Sequence, residues 1–406
     1  MENLEYLAKK GESLKRNKNL EALPAFFSQQ ELDTLSKRSI AIVGTNGKTS
    51  TASHIFEYLK NPLRKNVVKF TSPHLVQVNE RIESNTGYIH DSELIKYIDE
   101  VKRFEEKEKL VLGYFESLFL VSCKYFLDLD SDFFVVEAGI GGRLDTTSII
   151  NSETVVLTNV GLDHTDILGE SIEEILKEKI LISDKVKKLF VGELFETPYV
   201  KLIKAELDLD SASYNAPCLA SNSSPDSGEP HMGDSEFLDF RNRNIHLARR
   251  VIYDKFGRID YPLSSSPLHL SLEVPGRFDV INSDPNKLKI VDGAHNGGAT
   301  SSFLLALDYV LGDNLPSKIE CFLGIKNEKD YQGILDALVG FRWINISLLH
   351  RDTFRGQLEP SIIAQYLTNL GIKFKYASLE DFHSYNDPSI LLGSLYLVGE
   401  YIKEFR

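Results

Sequence analysis

The sequence predicts an α/β protein built from two domains. Short apolar runs typical of buried strands alternate with segments of helical periodicity along most of the chain, as expected for sheets covered by helices. The chain of 406 residues exceeds one domain at roughly 150 residues each. Its composition also changes near residue 211, where Ser, Pro, Gly and Asn replace apolar residues. We therefore expect an N-terminal domain over 1–265 with a mostly parallel sheet, and a smaller C-terminal α/β domain over 266–406.

The predicted elements of the N-terminal domain begin with an amphipathic helical segment over residues 20–38. A buried strand at 39–43 then leads through a Gly-rich turn into a helix at about 48–59. A later helix at 171–181 carries acidic residues in its first turn, where the helix dipole favours negative charge. The other predicted elements are strands at 65–70, 133–136 and 154–158 and a helix at 114–127.

The polar segment 211–237 has few apolar anchors, so it is predicted to be a disordered loop. A helix rich in Arg and Asn follows it, and the sequence YPLSSSP at 261–267 has the composition of a hinge. The alternation of strands and helices then resumes. It predicts a helix at 299–311 and strands at 287–291, 319–323, 344–348, 373–376 and 391–398.

The charge balance limits the partners of this protein. Lys and Arg number 46 against 59 Asp and Glu, a net charge of −13, which argues against broad binding to nucleic acid or anionic membranes. The three cysteines show no CxxC or Cys/His spacing, so we expect free thiols in a reducing compartment. The N-terminal residues lack the apolar stretch of a signal peptide, and no apolar run approaches the ~18 residues that span a bilayer. A cytoplasmic protein is expected.

A Gly-rich loop lies between the first buried strand and the helix, with the sequence Gly44-Thr45-Asn46-Gly47-Lys48-Thr49-Ser50. Glycines let backbone N–H groups approach phosphate oxygens, and the helix N-terminus adds positive potential. Lys48 can reach the terminal phosphates, and a hydroxyl at Thr49 or Ser50 can assist the phosphates or Mg²⁺. Position 42 is Ile, so the spacing departs from the general G-x-x-x-x-G-K-[ST]. The loop indicates a nucleoside triphosphate site, the alternative being a Gly-rich turn without a ligand.

From this loop onward the sequence resembles the folylpolyglutamate synthase and dihydrofolate synthase family of the Mur ligase superfamily. Six further segments carry the resemblance in the family's order, from about residue 40 to the C-terminus. They are FTSPHLVQVNERI (70–82), VVEAGIGGRLDTTSII (135–150), LTNVGLDHTDILGESIEEILKEK (157–179), VPGRFDVI (274–281), VDGAHNGGA (291–299) and GSLYLVGE (393–400). The resemblance implies an N-terminal P-loop ATPase domain of the Mur ligase type and a C-terminal Rossmann-like domain, with the active site between them.

The resemblance implies an ATP-dependent ligase that adds L-glutamate to folates and also to dihydropteroate. A free carboxylate is a poor electrophile, so ATP would first phosphorylate it to an acyl phosphate, which the amine then attacks. Such chemistry depends on aligning anions and neutralising their charge. The implied cofactors are ATP and Mg²⁺ at two sites, with oxygen ligands.

The implied metal ligands are Ser72 and Glu137 for the first Mg²⁺ and His164 for the second. Lys179 matches a lysine that is carbamylated in relatives, because a desolvated Lys has a lowered pKa and its neutral amine can take up CO₂. Taken without the resemblance, the residues also fit a capping Ser, a salt-bridged Glu, a loop His that forms hydrogen bonds and a surface Lys.

The nucleotide contacts implied by the resemblance are Asn244, Arg277 and Asp292. Arg277 would act as a cation that reaches across the cleft when the domains close. His295 is placed near the phosphates or the incoming glutamate. It joins Lys48, His164 and Lys179 as a candidate catalytic residue.

The implied pteroate contacts are Phe115 and Asp145. An aromatic face can stack on a flat heterocycle, and a carboxylate can accept hydrogen bonds from its amino group. The alternative for Phe115 is an ordinary core residue, since a Phe on an apolar helix is usually buried.

Two other functions remain open: a Mur-type amide ligase with a different acceptor, and a non-catalytic P-loop binding protein. Lys48, Glu137, His164 and Lys179 together favour catalysis, because a mere binder does not need two metal sites. The expected partners are small molecules (ATP, L-glutamate, and a folate or dihydropteroate), without nucleic acid or membrane, and a monomer is expected.

Overall fold

The computed structural model describes residues 6–7, 10, 20–192, 197–208, 214–215, 239–257, 274–350 and 352–406. The chain divides into two compact units. The N-terminal unit comprises Met1–His74, Val78–Met232 and Arg243–Tyr261, and the C-terminal unit comprises Leu75–Gln77, Gly233–Asn242 and Pro262–Arg406. The α/β class is confirmed. The boundary at 265/266 and the whole hinge at 261–267 fall outside the described residues, so they stay predictions.

The N-terminal unit is built on an eight-stranded sheet. Its strands are β1 (Ser39–Val43), β2 (Val67–Phe70), β3 (Ile82–Ser84), β4 (Gly87–Tyr88), β5 (Phe133–Glu137), β6 (Thr154–Leu157), β7 (Lys188–Val191) and β8 (Tyr214–Asn215), in the order β4-β3-β2-β5-β1-β6-β7-β8. Strands β2, β5, β1, β6, β7 and β8 run parallel, and β3 and β4 are antiparallel at one edge. Because β1 lies between β5 and β6, the loops that follow these three strands meet at one edge of the sheet.

Helices cover both faces of this sheet. They are α1 (Gln29–Arg38), α2 (Lys48–Lys60), α3 (Asp91–Glu108), α4 (Tyr114–Asp128), α5 (Thr165–Leu168), α6 (Ile172–Ile180), α7 (Thr197–Leu207) and α8 (Phe240–Phe256). Ile40 and Ile42 of β1 pack with apolar residues of α2 and α8 on one face. On the other face Ala41 and Val43 pack with α6 and α7, while α3 and α4 cover β2 and β5. The alternation of side chains along β1 therefore buries both faces of the strand.

Capping boxes set the starts of two of these helices. The backbone N–H of Glu31 donates to the Ser28 hydroxyl oxygen (3.3 Å), and the Glu31 carboxylate accepts from the Ser28 backbone N–H (2.7 Å). Ser171 and Glu174 repeat the pattern at α6 (3.2 and 3.1 Å). Such caps satisfy N–H groups that have no partner within the helix. The cap at Ser171 fixes where α6 begins, and α6 carries Lys179 near its other end.

The C-terminal unit has a six-stranded sheet of its own. Its strands are β9 (Asp279–Asn282), β10 (Lys289–Val291), β11 (Ile319–Leu323), β12 (Ile344–Leu349), β13 (Phe374–Ala377) and β14 (Ser389–Leu392), in the order β13-β12-β11-β14-β10-β9. Edge strand β9 is antiparallel to β10, and the other pairs are parallel. The helices are α9 (Gly297–Leu311), α10 (Tyr331–Val339), α11 (Pro360–Asn369), α12 (Leu379–Ser384) and α13 (Leu395–Phe405). Helices α9 to α11 pack on one face, and α12 and α13 on the other.

The predicted strand at 391–398 is wrong in its second half. Strand β14 ends at Leu392, and α13 begins at Leu395 after Ser394, whose hydroxyl accepts from the Tyr396 backbone N–H (3.2 Å). Within the predicted loop 211–237 the described residues Tyr214–Asn215 form β8, and the rest of that prediction lies outside the described residues. The helical segment predicted over 20–38 is wrong in its first half, because Leu23–Phe26 form a separate 3₁₀ turn and α1 begins only at Gln29, after the cap at Ser28. The other predicted strands and helices that were given bounds are present within about three residues of their predicted ends. Among the described helices, none is long and apolar enough to cross a membrane.

Candidate functional site

The loop after β1 has the backbone of a phosphate-binding loop. Gly44 (φ 152°) and Gly47 (φ 82°) adopt conformations that side-chain-bearing residues avoid. A Cβ on Gly44 would lie 1.8 Å from the Thr158 hydroxyl oxygen, so the loop could not keep this path with another residue there. Helix α2 begins directly after Gly47, at Lys48, which directs its N-terminal N–H groups towards the loop. The glycines therefore serve the geometry that a polyphosphate requires.

The segment after β6 holds this loop in place. The Asn46 backbone N–H donates to the Asn159 side-chain oxygen (2.8 Å), and the Thr158 hydroxyl donates to the Asn46 carbonyl oxygen (2.6 Å). The Thr45 N–H donates to the Asn159 carbonyl oxygen (3.0 Å). Neither Thr158 nor Asn159 was predicted as a site residue. Their position directly after a buried strand beside β1 was the available signal, since the carboxyl ends of parallel strands share an edge.

Lys48 lies folded against its own loop. Its ammonium donates to the carbonyl oxygens of Gly44 (3.0 Å) and Thr45 (3.3 Å). Backbone carbonyls are neutral acceptors, so a phosphate anion would compete with them for the ammonium group. The side chain is therefore placed to turn towards a terminal phosphate.

Glu137, Thr49 and Ser72 meet at the ends of β5, α2 and β2. Glu137 is buried, at 2% exposure. The Thr49 hydroxyl donates to the Glu137 carboxylate at 3.0 Å from each oxygen, and the Ser72 backbone N–H donates to one of these oxygens (3.0 Å). A carboxylate with a nearby hydroxyl is an oxygen-rich donor set of the kind that Mg²⁺ prefers. The residues present at the predicted first site therefore fit Mg²⁺.

Lys179 is buried at the end of α6, with 3% exposure. Its ammonium donates to the carbonyl oxygen of Gly44 (3.0 Å), so it lies against the phosphate loop and not on the surface. Burial, together with the nearby positive charge of Lys48, lowers the pKa of Lys179 from 10.5 to about 7. The sequence-based alternative of a surface lysine is wrong. With a pKa near 7, a substantial fraction of this amine is neutral at neutral pH, which is the protonation state that uptake of CO₂ requires.

His164 directly precedes α5 as its N-cap residue, in a left-handed backbone conformation (φ 51°). Its backbone N–H donates to the Asp163 carboxylate (3.0 Å), and its Nε2 lies 3.9 Å from the same oxygen. The imidazole is 27% exposed. Within the described residues no group of three His, Cys, Asp or Glu side chains lies together in metal-binding geometry. Any second metal site would therefore depend on ligands of other kinds, such as a modified lysine.

Asn244 lies over the phosphate loop. A Cβ on Gly47 would be 2.6 Å from the Asn244 Oδ1, so the amide packs directly on the loop backbone. Asn244 is 7% exposed, and its Nδ2 has no hydrogen-bond partner among the described residues. A buried amide nitrogen without a partner is costly unless a ligand satisfies it. This side chain is thus positioned to contact a bound nucleotide.

Arg277, Asp292 and His295 come together in the C-terminal unit. Both oxygens of buried Asp292 accept from backbone N–H groups, those of Phe278 (2.6 Å) and Ala294 (2.7 Å). Burial raises the pKa of Asp292 to about 6, although the positive charge of Arg277 opposes this shift. His295 Nδ1 lies 2.8 Å from the Gly293 carbonyl oxygen. Asp292 thus holds together the two loops that carry Arg277 and His295.

Phe115 and Asp145 meet around Gly139, where a Cβ would lie 3.0 Å from the Phe115 ring and 3.1 Å from an Asp145 oxygen. Phe115 is half-buried and its ring lies 5.5 Å from that of Phe70. Asp145 is buried and accepts from the backbone N–H groups of Ile140 (2.9 Å) and Thr147 (3.0 Å). Burial raises the pKa of Asp145, and these hydrogen bonds oppose the shift. The structure therefore brings the two predicted pteroate contacts together.

Comparison with known proteins finds similar sequences over nearly the whole chain. A family model for the Mur ligase middle domain matches residues 42–213. The dihydrofolate synthase/folylpolyglutamate synthase of Buchnera aphidicola subsp. Acyrthosiphon pisum is 28% identical over 93% of this chain and 92% of its own length. The dihydrofolate synthetase of Saccharomyces cerevisiae is 26% identical over 91% of this chain and 93% of its own.

Solved structures share the fold. The bifunctional folylpolyglutamate synthase/dihydrofolate synthase of Yersinia pestis, complexed with AMPPNP and Mn ion, has a TM-score of 0.76 at 23% identity, covering 98% of this chain and 96% of its own. The Mycobacterium tuberculosis folylpolyglutamate synthase complexed with ADP has a TM-score of 0.77 at 22% identity, covering 99% and 97%. The phosphate loop and the Glu137 centre lie in the segment that matches the Mur ligase middle domain, and nearly the whole chain is similar in sequence to folylpolyglutamate synthases and dihydrofolate synthases.

Proposed function

We propose that this protein is an ATP-dependent ligase that joins L-glutamate to folates through an amide bond, and that it also accepts dihydropteroate. The observation that carries the proposal is the convergence of Lys48, Glu137 and Lys179 on the loop after β1. A protein that only binds a nucleotide needs the loop and can use a carboxylate to hold Mg²⁺, but it has no use for a buried lysine of lowered pKa beside them. The names of the relatives agree with ligase activity.

The proposed reaction proceeds in two steps. The substrate carboxylate attacks the γ-phosphorus of ATP, the bond to the β–γ bridging oxygen breaks, and ADP leaves. The amine of L-glutamate then attacks the carbonyl carbon of the acyl phosphate, inorganic phosphate leaves, and the amine loses a proton. Both steps bring anions together, so fixed positive charge and N–H donors at the loop lower the barrier.

The residues of the loop region have proposed roles in these two reaction steps. The backbone N–H groups of Gly44 to Ser50 hold the phosphates, and Lys48 leaves its two carbonyl partners to pair with a terminal phosphate. Glu137, with Thr49 and Ser72, would hold Mg²⁺, which would neutralise phosphate charge when bound. Asn244 contacts the nucleotide with its free amide nitrogen.

Two Mg²⁺ sites and a carbamylated Lys179 are a finer part of the proposal. His164 would serve the second site, and carbamylation would convert Lys179 from an amine into an oxygen-bearing anion that Mg²⁺ accepts. Burial of Lys179 supports this, since its pKa of about 7 leaves a substantial neutral fraction at neutral pH.

The C-terminal unit would supply a cation and an imidazole to the reaction. Arg277 is proposed to neutralise phosphate charge, with Asp292 fixing its loop, and His295 is proposed to lie near the phosphates or the incoming glutamate. In the N-terminal unit Phe115 and Asp145 are proposed to hold the pterin ring. We further propose that the protein is cytoplasmic and has no nucleic-acid or membrane partner. We also propose that it is a monomer, and size-exclusion chromatography with light scattering would test this oligomeric state.

A test of the proposal is an ATP-turnover assay with L-glutamate and each acceptor, with the product identified by mass spectrometry. The expected result is ADP release that depends on both acceptor and glutamate, with a product one glutamate longer. Turnover with an acceptor other than a folate or dihydropteroate would favour a Mur-type ligase of different specificity. Nucleotide binding without ATP turnover in the presence of any tested acceptor would favour a non-catalytic P-loop binding protein.

A further inference from the structure

Arg143 lies in the loop between β5 and β6 and has no part in the function proposed above. Its side chain is 58% exposed, and its Nε lies 3.3 Å from an oxygen of Glu178. Among the described residues, neither terminal nitrogen of the guanidinium has a hydrogen-bond partner. The side chain is therefore held at one end, and its two-nitrogen fork is open to a ligand.

The backbone around Arg143 is fixed on the end of α6. The Arg143 N–H donates to the Glu178 carbonyl oxygen (2.8 Å), and the Leu144 N–H donates to the Glu178 carboxylate (3.0 Å). A Cβ on Gly142 would lie 2.5 Å from the Lys179 carbonyl oxygen. Glu178 is itself buried, at 7% exposure. A partly exposed ion pair adds only about 0–1 kcal/mol of stability, so its main effect here is to orient the guanidinium.

The position of Arg143 along the site is set by its neighbours. Two residues onward is Asp145, which with Phe115 forms the proposed pterin end. The residue after its anchor Glu178 is Lys179, which contacts Gly44 of the phosphate loop. The loop of Arg143 thus connects the region proposed for the pterin ring, through Asp145, with the region proposed for the reacting carboxylate, through Glu178 and Lys179.

We infer that Arg143 binds the unreactive α-carboxylate of the terminal glutamate of a folate substrate. This inference rests on the proposed ligase function. The γ-carboxylate is consumed by the reaction, whereas the α-carboxylate stays anionic throughout, and a guanidinium fork matches a carboxylate in shape and charge. Dihydropteroate has no such group. Arg143 is thus a specificity-determining residue that favours acceptors already bearing glutamate.

The test compares tetrahydrofolate with its α-carboxamide analogue, which keeps the reacting γ-carboxylate but lacks the α charge. In Arg143→Ala the KM for tetrahydrofolate is expected to rise about tenfold, the scale of one charge-assisted contact, with kcat within about twofold. The KM for the carboxamide analogue is expected to be the same in the wild type and in Arg143→Ala. Arg143→Lys should recover part of the loss, since it restores the charge but not the fork.

The matched control is Arg103→Ala. Arg103 is also exposed and held through its Nε, by the Asp99 carbonyl oxygen (3.2 Å), on helix α3. It should leave the KM for both acceptors unchanged. An unaltered KM for tetrahydrofolate in Arg143→Ala, or an equal rise for the carboxamide analogue, would overturn the assignment of Arg143. Absence of ligation by the wild type would instead overturn the ligase function, so the two failures are distinguishable.

Discussion

The Lys179 ammonium donates to the Gly44 carbonyl oxygen, 3.0 Å away, and the Lys48 ammonium donates to the same oxygen at the same distance. Two lysines thus share one neutral acceptor beside the phosphate loop. Their mutual repulsion adds to the effect of burial, and both lower the pKa of Lys179. An anion that bound between them would relieve the repulsion, which makes this point of the loop a place where negative charge is favoured.

Removal of Lys179 should abolish ligation, and small carboxylic acids should restore part of it. Lys179→Ala is expected to lower kcat by about 100-fold or more, because the variant cannot form the carbamate anion. Added propionate can enter the space and supply a carboxylate, and depletion of bicarbonate should slow the wild type. Lys177→Ala, on the same helix, is the control. Full activity of Lys179→Ala in bicarbonate-free buffer would contradict the carbamate.

Lys48→Ala should abolish turnover without unfolding the protein. The substitution removes two hydrogen bonds to backbone carbonyls, a loss of about 1 kcal/mol each, but it also removes the charge that meets the terminal phosphate. Circular dichroism should show an unchanged melting curve within a few degrees, with kcat reduced by about 100-fold or more. Lys60→Ala, at the other end of α2, should behave as wild type. Normal ligation by folded Lys48→Ala would remove the basis for the phosphate site.

Glu137→Gln tests the metal centre with the least change in shape. The amide oxygen can still accept from the Thr49 hydroxyl and the Ser72 N–H, so the fold should survive, but the negative charge is lost. We expect kcat to fall by about 100-fold or more, with modest rescue by excess Mg²⁺. His164→Ala should give a similar loss if it serves a second site. Retention of wild-type Mg²⁺ dependence by Glu137→Gln would show that this carboxylate holds no metal.

Buried His54 should make the N-terminal unit sensitive to acid. His54 lies on α2 at 5% exposure, and burial, with a smaller contribution from the charge of Lys69, lowers its pKa from 6.5 to about 4. Between these pH values the unfolded chain binds more protons than the folded one, so stability falls as the pH drops through this window. The loss is at most about 3 kcal/mol.

His54→Leu should flatten this dependence between pH 6.5 and 4. Hydrogen exchange of the α2 backbone amides, followed across that range, would measure it locally. His90→Gln, at an exposed position, is the control. An unchanged pH slope in His54→Leu would show that His54 does not cause the acid sensitivity.

The sequence predicts the strands and the loop at Gly44 well because these depend on local patterns. An apolar run of five residues followed by a Gly-rich turn defines β1 without any knowledge of its neighbours. The error at 391–398 arises because α13 buries Leu397, Val398 and Tyr401, which makes its start as apolar as a strand. Ser394 as a helix cap was the signal that distinguishes the two.

The candidate site was predictable from resemblance in its residues but not in its contacts. That Lys179 reaches Gly44 depends on how α6 packs across the sheet, 135 residues away in sequence. The hydrogen bonds from the Arg143 and Leu144 N–H groups to Glu178 likewise depend on loop geometry, which the periodicity of the sequence does not encode. Helix α3 is absent from the elements predicted from the sequence. Its amphipathic pattern, and Glu93 in its first turn, were the signals that could have identified it.

Substitution of Asp145 should affect dihydropteroate and tetrahydrofolate differently. A second substitution, at Thr147, distinguishes a contact of Asp145 with the pterin ring from its structural role in the loop. Asp145 holds its loop through Ile140 and Thr147, and the Thr147 hydroxyl also donates to it (2.6 Å). Asp145 caps the 3₁₀ helix Thr146–Ile150, so Asp145→Ala removes a cap worth about 0.5–2 kcal/mol as well as any contact with the pterin ring. Thr147→Val loosens the same loop but leaves the carboxylate in place, so it reports the structural part alone.

We expect Asp145→Ala to raise the KM for dihydropteroate at least about tenfold more than that for tetrahydrofolate. Dihydropteroate lacks the glutamate tail, so its affinity depends almost entirely on the ring pocket, whereas a folate keeps its glutamyl contacts. Thr147→Val should weaken both acceptors equally and to a smaller degree. Steady-state kinetics with both acceptors decide the matter: equal losses in Asp145→Ala, matching those of Thr147→Val, would show that Asp145 orders its loop and does not read the pterin ring.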